Sequence, residues 1–140
     1  MKKRVLVLCT GNSCRSQMAE GILRHYGGGR FEVFSGGAKP SVVNPLAIKV
    51  MGEIGIDISG QRSKPVHEFQ GQRFDYVITV CDNAKKPCPV FPGGTKVVRW
   101  PFPDPPQGQG EPESILDEFR KVRDLIHQKF RDFVPEITKN

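Results

Sequence analysis

Residues 5–16 read VLVLCTGNSCRS, an apolar run that gives way at Cys9 to a polar loop with one glycine. Four consecutive apolar residues, Val5–Leu8, are typical of a strand that is covered on both faces of a sheet. After the loop, Ser16–Tyr26 carries apolar residues at helical spacing, and the glycines of Gly27–Gly29 end it. The stretch therefore predicts a buried strand, a short loop and a helix at the start of the chain.

The remaining sequence continues this alternation. The predicted strands are Lys2–Leu8, Phe31–Ser35, Phe74–Val80 and Lys96–Trp100, and the predicted helices are Ser16–Tyr26, Pro45–Ile54, a short one at Ser63–Phe69 and Glu111–Val134. Prolines interrupt Cys81–Pro92, which is predicted to be irregular or weakly helical. Proline and glycine are frequent in Pro101–Gly110, which is predicted to be a loop. Strands that alternate with helices imply one parallel sheet with helices on both faces. Residues 1–140 are predicted to form a single α/β domain, because this length fits one hydrophobic core.

Composition narrows the functional classes. Of the 140 residues, 37% are hydrophobic and 26% are charged, which is typical of a soluble globular protein. No apolar run approaches the ~20 residues of a membrane span, and the first run is shorter than the about 7–15 residues of a signal-peptide core. We therefore expect a cytoplasmic protein without a membrane segment. The net charge is +6, but Lys and Arg are scattered, so small anions are expected as ligands rather than nucleic acid.

Four cysteines are present, in the spacings Cys9-x4-Cys14 and Cys81-x6-Cys88. Structural disulfides are rare in the cytoplasm, where cysteines more often bind metal or take part in catalysis. Neither spacing is that of a zinc knuckle, and no pair of histidines completes such a site. The pattern therefore predicts catalytic or redox cysteines and no metal ion.

The loop Cys9–Ser16 has the residue types of an oxyanion site around a nucleophile. A helix N-terminus after a parallel strand offers N–H groups and a positive dipole, and Gly11 lets the backbone curl tightly. Arg15 can hold two oxygens of a tetrahedral anion at once. The same positive field favours the thiolate form of Cys9, to which the Ser16 hydroxyl can donate. The predicted anion-binding residues are Thr10, Gly11, Asn12, Ser13, Cys14 and Arg15.

The sequence CTGNSCRSQMAEG at 9–21 resembles the active-site loop of the low-molecular-weight tyrosine phosphatase fold, and specifically of thioredoxin-coupled arsenate reductases. Three further landmarks occur in the expected order: VCDNAKKPC at 80–88, WPFPDP at 100–105 and FRKVRD at 119–124. The resemblance covers nearly the whole chain. It implies a four-stranded parallel sheet flanked by helices, and a monomer that uses no cofactor.

The resemblance also implies a mechanism for arsenic detoxification. Cys9 attacks arsenate, and Asp104 acts as the general acid, although an Asp-Pro pair alone often only opens a turn. Cys81 and then Cys88 carry the oxidation to a disulfide that thioredoxin reduces. If the first and third strands are neighbours, they lie ~4.8 Å apart, so that Cys9 and Cys81 end side by side. Cys14 is assigned to the loop and not to the relay.

Two alternatives stay open. A low-molecular-weight phosphatase would use the same Cys9, Arg15 and Asp104, but such phosphatases carry Met-Asp where this chain has Cys81-Asp82, and an aromatic residue where it has Pro106. For the reductase, a weak phosphatase side activity is expected, with phosphate or sulfate as competing anions. A non-catalytic oxyanion-binding domain is the second alternative. The sequence does not decide between thioredoxin and glutaredoxin as the reductant.

The resemblance raises the question of a potassium ion beside the loop. Some members of the family bind one with residues that match Asn12, Glu20 and Ser35, together with an aspartate. This chain carries Lys64 at the position of that aspartate. Because a lysine is a poor lining for a cation site, we predict that activity does not depend on potassium.

Overall fold

A parallel sheet of four strands positions the candidate site. The computed structural model describes residues 2–81, 89, 91–105 and 111–137. Its strands are β1 (Lys3–Cys9), β2 (Phe31–Gly37), β3 (Phe74–Thr79) and β4 (Gly94–Arg99), and its α-helices are α1 (Arg15–Gly27), α2 (Pro45–Glu53) and α3 (Pro112–Ile137). The strand order is β2-β1-β3-β4, and all three pairings are parallel. The predicted fold class is confirmed.

Strand β1 lies in the middle of the sheet, as its continuous apolar run predicts. Four consecutive residues of this strand, Val5–Leu8, are fully buried. Because side chains alternate across a strand, Val5 and Val7 face one core while Leu6 and Leu8 face another. The first core contains apolar residues of all three α-helices and is the larger of the two.

The two faces of the sheet are covered differently. All three α-helices contribute to the core on one face. In the described part of the chain, the other face is covered by the 3-10 helix Val66–Phe69 and by Phe91, which pack with Phe74 and Val77. Within the described residues, the helical cover of the second face is this one short turn. Most of the connection between β3 and β4 lies outside the described residues.

One predicted helix is shorter in the structure, and the local sequence explains why. The helix predicted at Ser63–Phe69 is only the 3-10 turn Val66–Phe69. Pro65 lies directly before it in extended conformation, and a proline also disfavours helical geometry in the residue that precedes it. By contrast, the predicted helix at Pro45 begins where expected, because Asn44 caps α2 by accepting a hydrogen bond from the Leu46 N–H at 2.8 Å.

Helix α3 closes the first core along a stripe of apolar residues. The apolar residues that recur at helical spacing along α3 are all buried: Ile115, Phe119, Val122, Ile126, Phe130 and Phe133. The helix contacts both α1 and α2. Among the described residues, no helix combines the length and apolarity that crossing a bilayer requires.

Candidate functional site

The loop between β1 and α1 lies at the carboxyl edge of the sheet, where open α/β folds bind ligands. β1 ends at Cys9 and α1 begins at Arg15. No side chain caps the N-terminus of α1, so its positive dipole end faces the loop. The end of β2 approaches the loop so closely that a Cβ on Gly37 would lie 2.8 Å from the backbone of Asn12 and Thr10. A glycine is therefore required there for the loop to pack against the sheet.

Cys9 and Ser16 are in direct contact inside this loop. The Cys9 Sγ and Ser16 Oγ atoms are 2.8 Å apart, and both residues are buried. Asn12 Nδ2 donates to Ser16 Oγ at 2.8 Å. Since that oxygen already accepts one proton, its own hydroxyl proton is available to Cys9. The Ser16 hydroxyl therefore lies where it can donate a hydrogen bond to the Cys9 sulfur.

Arg15 connects the anion loop with the Pro-rich loop after β4. Its side chain is 4% exposed, and its Nη1 donates to the Phe102 carbonyl at 3.0 Å. Its Nε lies 3.7 Å from Asp104 Oδ1, and Asp104 is 29% exposed. The structure therefore brings Arg15 and Asp104, which are 89 positions apart in the sequence, to the mouth of one site.

Aromatic packing holds the loop of Asp104 in place. The Trp100 ring lies against Phe130 and Phe133 of α3, with centroid distances of 5.3 and 4.8 Å. Phe102 is buried, and its N–H donates to the Val80 carbonyl at 3.1 Å. Through these contacts Trp100 and Phe102 pack the loop against α3 and the end of β3.

Cys14 differs from Cys9 in its electrostatic surroundings. It is a free thiol and is buried. Burial raises the pKa of the Cys14 thiol, and the neighbouring Cys9 and Asp104 raise it further against an opposing effect of Arg15. Cys14 therefore stays protonated at neutral pH and is a poor nucleophile.

Cys81 follows the end of β3 at the same edge of the sheet at which β1 ends in Cys9. Leu8 is paired with Thr79, and the Val80 N–H donates to the Leu8 carbonyl at 2.8 Å, so the register between the two neighbouring strands continues up to the two cysteines, with Cys81 one position further along than Cys9. Both cysteines are buried. Cys81 is disulfide-bonded, whereas Cys9 and Cys14 are free. The predicted relay residue Cys88 lies outside the described residues.

Lys64 lies next to the anion loop, among the residues considered above for a potassium site. Its Nζ lies 3.7 Å from Glu20 Oε1 and 3.4 Å from Ser35 Oγ, and it donates to the Arg62 carbonyl at 2.7 Å. Burial lowers the pKa of Lys64, and the nearby Glu20 opposes that change. An ammonium group thus stands among these oxygens. The residues present do not fit a bound monovalent cation, which would meet a like charge at close range.

Two glutamines, of which Gln17 is buried and Gln61 half-buried, extend the site beyond the predicted residues. Gln17 contacts Asn12 and the Arg62 carbonyl, and Gln61 contacts Gln17. A polar residue among the apolar positions at the start of α1 is a weak signal for Gln17. Nothing in the sequence points to Gln61, which belongs to a loop 44 positions further along.

Comparisons with known proteins agree with this geometry. The sequence model described as low molecular weight phosphotyrosine protein phosphatase matches residues 4–140. An arsenate reductase of Halalkalibacterium halodurans is 45% identical over 132 residues, which make up 94% of this chain and 95% of that protein. The solved structure of an arsenate reductase in the phosphate binding state is 34% identical, with a TM-score of 0.77, and the match covers 96% of this chain and 98% of that chain.

A further solved structure bears on the reductant. It is a thioredoxin-dependent arsenate reductase of Corynebacterium glutamicum, 29% identical, with a TM-score of 0.58. The match covers 93% of this chain and 62% of that chain. The chain belongs to the low molecular weight phosphotyrosine protein phosphatase family and, within that family, to the arsenate reductases.

Proposed function

We propose that this protein reduces arsenate to arsenite with Cys9 as the nucleophile. The observation that carries the proposal is the contact of Cys9 with the Ser16 hydroxyl at 2.8 Å, in a loop that Arg15 joins to Asp104. A thiolate, a bidentate cation and a carboxyl group are the groups that attack on a tetrahedral oxyanion requires. The arsenate reductases that the chain resembles support arsenate as the substrate.

The first step forms a bond between sulfur and arsenic. The Cys9 thiolate attacks arsenic(V) while the loop N–H groups and Arg15 hold its oxygens. Asp104 gives its proton to the departing hydroxyl group, which leaves as water. The product is a covalent adduct in which arsenic is still pentavalent.

The second step transfers two electrons. The Cys81 thiolate attacks the sulfur of Cys9, so that a Cys9–Cys81 disulfide forms and the sulfur–arsenic bond breaks. The electron pair of that bond stays on arsenic, which leaves as trivalent arsenite. Cys88 then attacks Cys81 and releases the Cys9 thiolate. The disulfide-bonded state of Cys81, beside a free Cys9, supports this order of events.

Thioredoxin is the reductant that we propose for the resulting disulfide. Support comes from the Corynebacterium glutamicum relative and not from a contact in this structure. A dithiol protein that exchanges with an exposed disulfide suits a relay of this kind. The expected cytoplasmic location and monomeric state stay predictions from the sequence.

The proposal is tested by measuring arsenite formation with purified components. The reduced protein receives arsenate and either thioredoxin with its NADPH-dependent reductase or glutaredoxin with glutathione. We expect sustained arsenite formation with thioredoxin and a much lower rate with glutaredoxin. Equal rates would contradict the choice of reductant, and no arsenite under either condition would contradict the proposed reaction.

Asp104→Asn is expected to slow both arsenate reduction and the hydrolysis of an aryl phosphate. The asparagine keeps the shape of the side chain but has no acidic proton, and positioned general acids contribute about 10²–10⁴-fold. Hydrolysis of para-nitrophenyl phosphate, measured under reducing conditions, also tests the predicted phosphatase side activity. Para-nitrophenolate needs little protonation, so the fall should be smaller for this substrate than for arsenate. An unchanged arsenate turnover would remove Asp104 from the mechanism.

Activity is expected to be equal in potassium and in sodium. The Lys64 ammonium lies 3.7 Å from Glu20 and already supplies the positive charge beside the loop. Arsenite formation is measured in the two chloride salts at the same ionic strength, so that screening of the anion is matched. A several-fold gain that is specific to potassium would mean that the cluster binds the ion after all.

A further inference from the structure

Asn12 holds the loop in a conformation that needs outside support. Its φ is +47°, the one positive value among the described residues other than glycine. Such left-handed geometry is strained for a side chain larger than hydrogen and persists only where neighbours hold it. Lys64 contributes by donating its backbone N–H to Asn12 Oδ1 at 2.8 Å.

Gln17 also supports Asn12. It is fully buried, and its Nε2 lies 3.0 Å from both the backbone oxygen and the Oδ1 of Asn12. The same nitrogen lies 2.8 Å from the Arg62 carbonyl. One amide group thus fixes the backbone and the side chain of the strained residue together.

Gln61 fixes which end of the Gln17 amide faces the loop. Gln61 Nε2 donates to Gln17 Oε1 at 2.7 Å and to the Gln17 backbone oxygen at 3.0 Å. Because the oxygen of Gln17 accepts these protons, its nitrogen must face Asn12. A flipped amide would place two acceptors, or two donors, against each other in a buried site.

The direction of hydrogen bonding then passes to the nucleophile. Asn12 Oδ1 accepts protons, so Asn12 Nδ2 points to Ser16 Oγ at 2.8 Å and to Ser35 Oγ at 3.0 Å. Ser16 Oγ accepts from Asn12 and has its own proton for Cys9 Sγ, 2.8 Å away. Each donor is oriented by the one before it, over four residues from Gln17 to Cys9.

We propose that Gln17, oriented by Gln61, is a positioning residue that fixes the direction of this donor chain and so maintains the Cys9 thiolate. The inference rests on the proposed role of Cys9 as the nucleophile. Gln17 touches neither substrate nor sulfur and acts only through Asn12 and Ser16. Its removal takes away one of two donors that hold Asn12 Oδ1, the other being the Lys64 N–H, so the Asn12 amide is less firmly oriented and Ser16 is less firmly held as a donor to Cys9.

The test measures the pH dependence of Cys9 alkylation by iodoacetamide in the reduced protein. The label is assigned to Cys9 by fragment-ion mass spectrometry. This reaction needs neither arsenate nor a protein reductant, so its outcome is distinguishable from a failure of the arsenate assay. The variants are Gln17→Met and Gln61→Met, which keep the side-chain length and remove the amide.

Two further variants serve as controls. Ile58→Val makes a small cavity in the core against α1, where Ile58 is fully buried next to Gly21. It should lower the Tm without touching a donor. Gln128→Met replaces an exposed glutamine of α3 and controls for the chemical change itself.

We expect the pH midpoint of alkylation to rise by about one unit in Gln17→Met, a tenfold change in the thiolate equilibrium, because hydrogen bonds to charged groups are the strong ones. Gln61→Met should move it in the same direction by less, and both controls should leave it unchanged. An unchanged midpoint in Gln17→Met and Gln61→Met, with a lowered Tm, would mean a merely structural role and overturn the proposal. If Gln17→Met does not fold, Gln61→Met decides by the same criterion.

Discussion

Replacing Cys9 with serine is expected to abolish arsenate reduction and aryl phosphate hydrolysis together. A hydroxyl in this position is a far weaker nucleophile than a thiolate, and loss of a nucleophile has cost about 10⁶-fold in a well-studied hydrolase. The change is nearly isosteric, and Ser16 remains as a hydrogen-bond partner, so the fold should be preserved. Both activities are measured on the same preparation, with circular dichroism to verify folding.

Cys14→Ser is the matched control for that substitution. Cys14 is buried in the same loop, but its pKa is raised, so its sulfur carries no charge that turnover requires. Most of the arsenate turnover should survive. A loss as complete as that in Cys9→Ser would contradict the assignment of Cys14 to the loop and would place it in the relay.

Arg15→Lys is expected to lower kcat/KM for arsenate by about 100-fold, the scale on which removal of one oxyanion donor acts. Lysine keeps the charge but loses the planar fork that holds two oxygens at once. It also lacks a second group with which to reach both the Phe102 carbonyl and Asp104, which Arg15 contacts in the structure.

The control for Arg15→Lys is Arg120→Lys. Arg120 pairs with Glu53 of α2 and, within α3, with Asp117, away from the site. The substitution Arg120→Lys should change only the stability of the fold, and by little, because partly exposed ion pairs contribute little. If Arg15→Lys lost no more activity than Arg120→Lys, the guanidinium would not be the group that binds the anion.

The part of the site that the sequence predicts is the part encoded locally. Cys9, Arg15 and Ser16 are within eight positions, and the strand before them and the helix after them are visible in the apolar pattern. That context, together with the chemistry of each side chain, was enough to predict a nucleophile in an anion loop. The contact between Cys9 and Ser16 at 2.8 Å agrees with that prediction.

Longer-range parts of the site depend on tertiary structure. The family resemblance identified Asp104, but its distance from Arg15 follows from the packing of Trp100 and Phe102 against α3. Gln61 could not be predicted, because an amide that orients another amide leaves no periodicity or spacing in the sequence. A buried strand pattern likewise indicates that both faces of the sheet are covered, but not that the 3-10 turn Val66–Phe69 covers part of one of them.

The most direct test of the central claim is a single-turnover thiol count. The protein is fully reduced, the reductant is removed, and excess arsenate is added before free thiols and arsenite are measured. The relay predicts that two thiols are lost for each arsenite released, with the disulfide on Cys81 and with Cys9 free again. Four surviving thiols and no arsenite would contradict the account, because arsenate would then be only a mimic of phosphate and the protein would be a phosphatase.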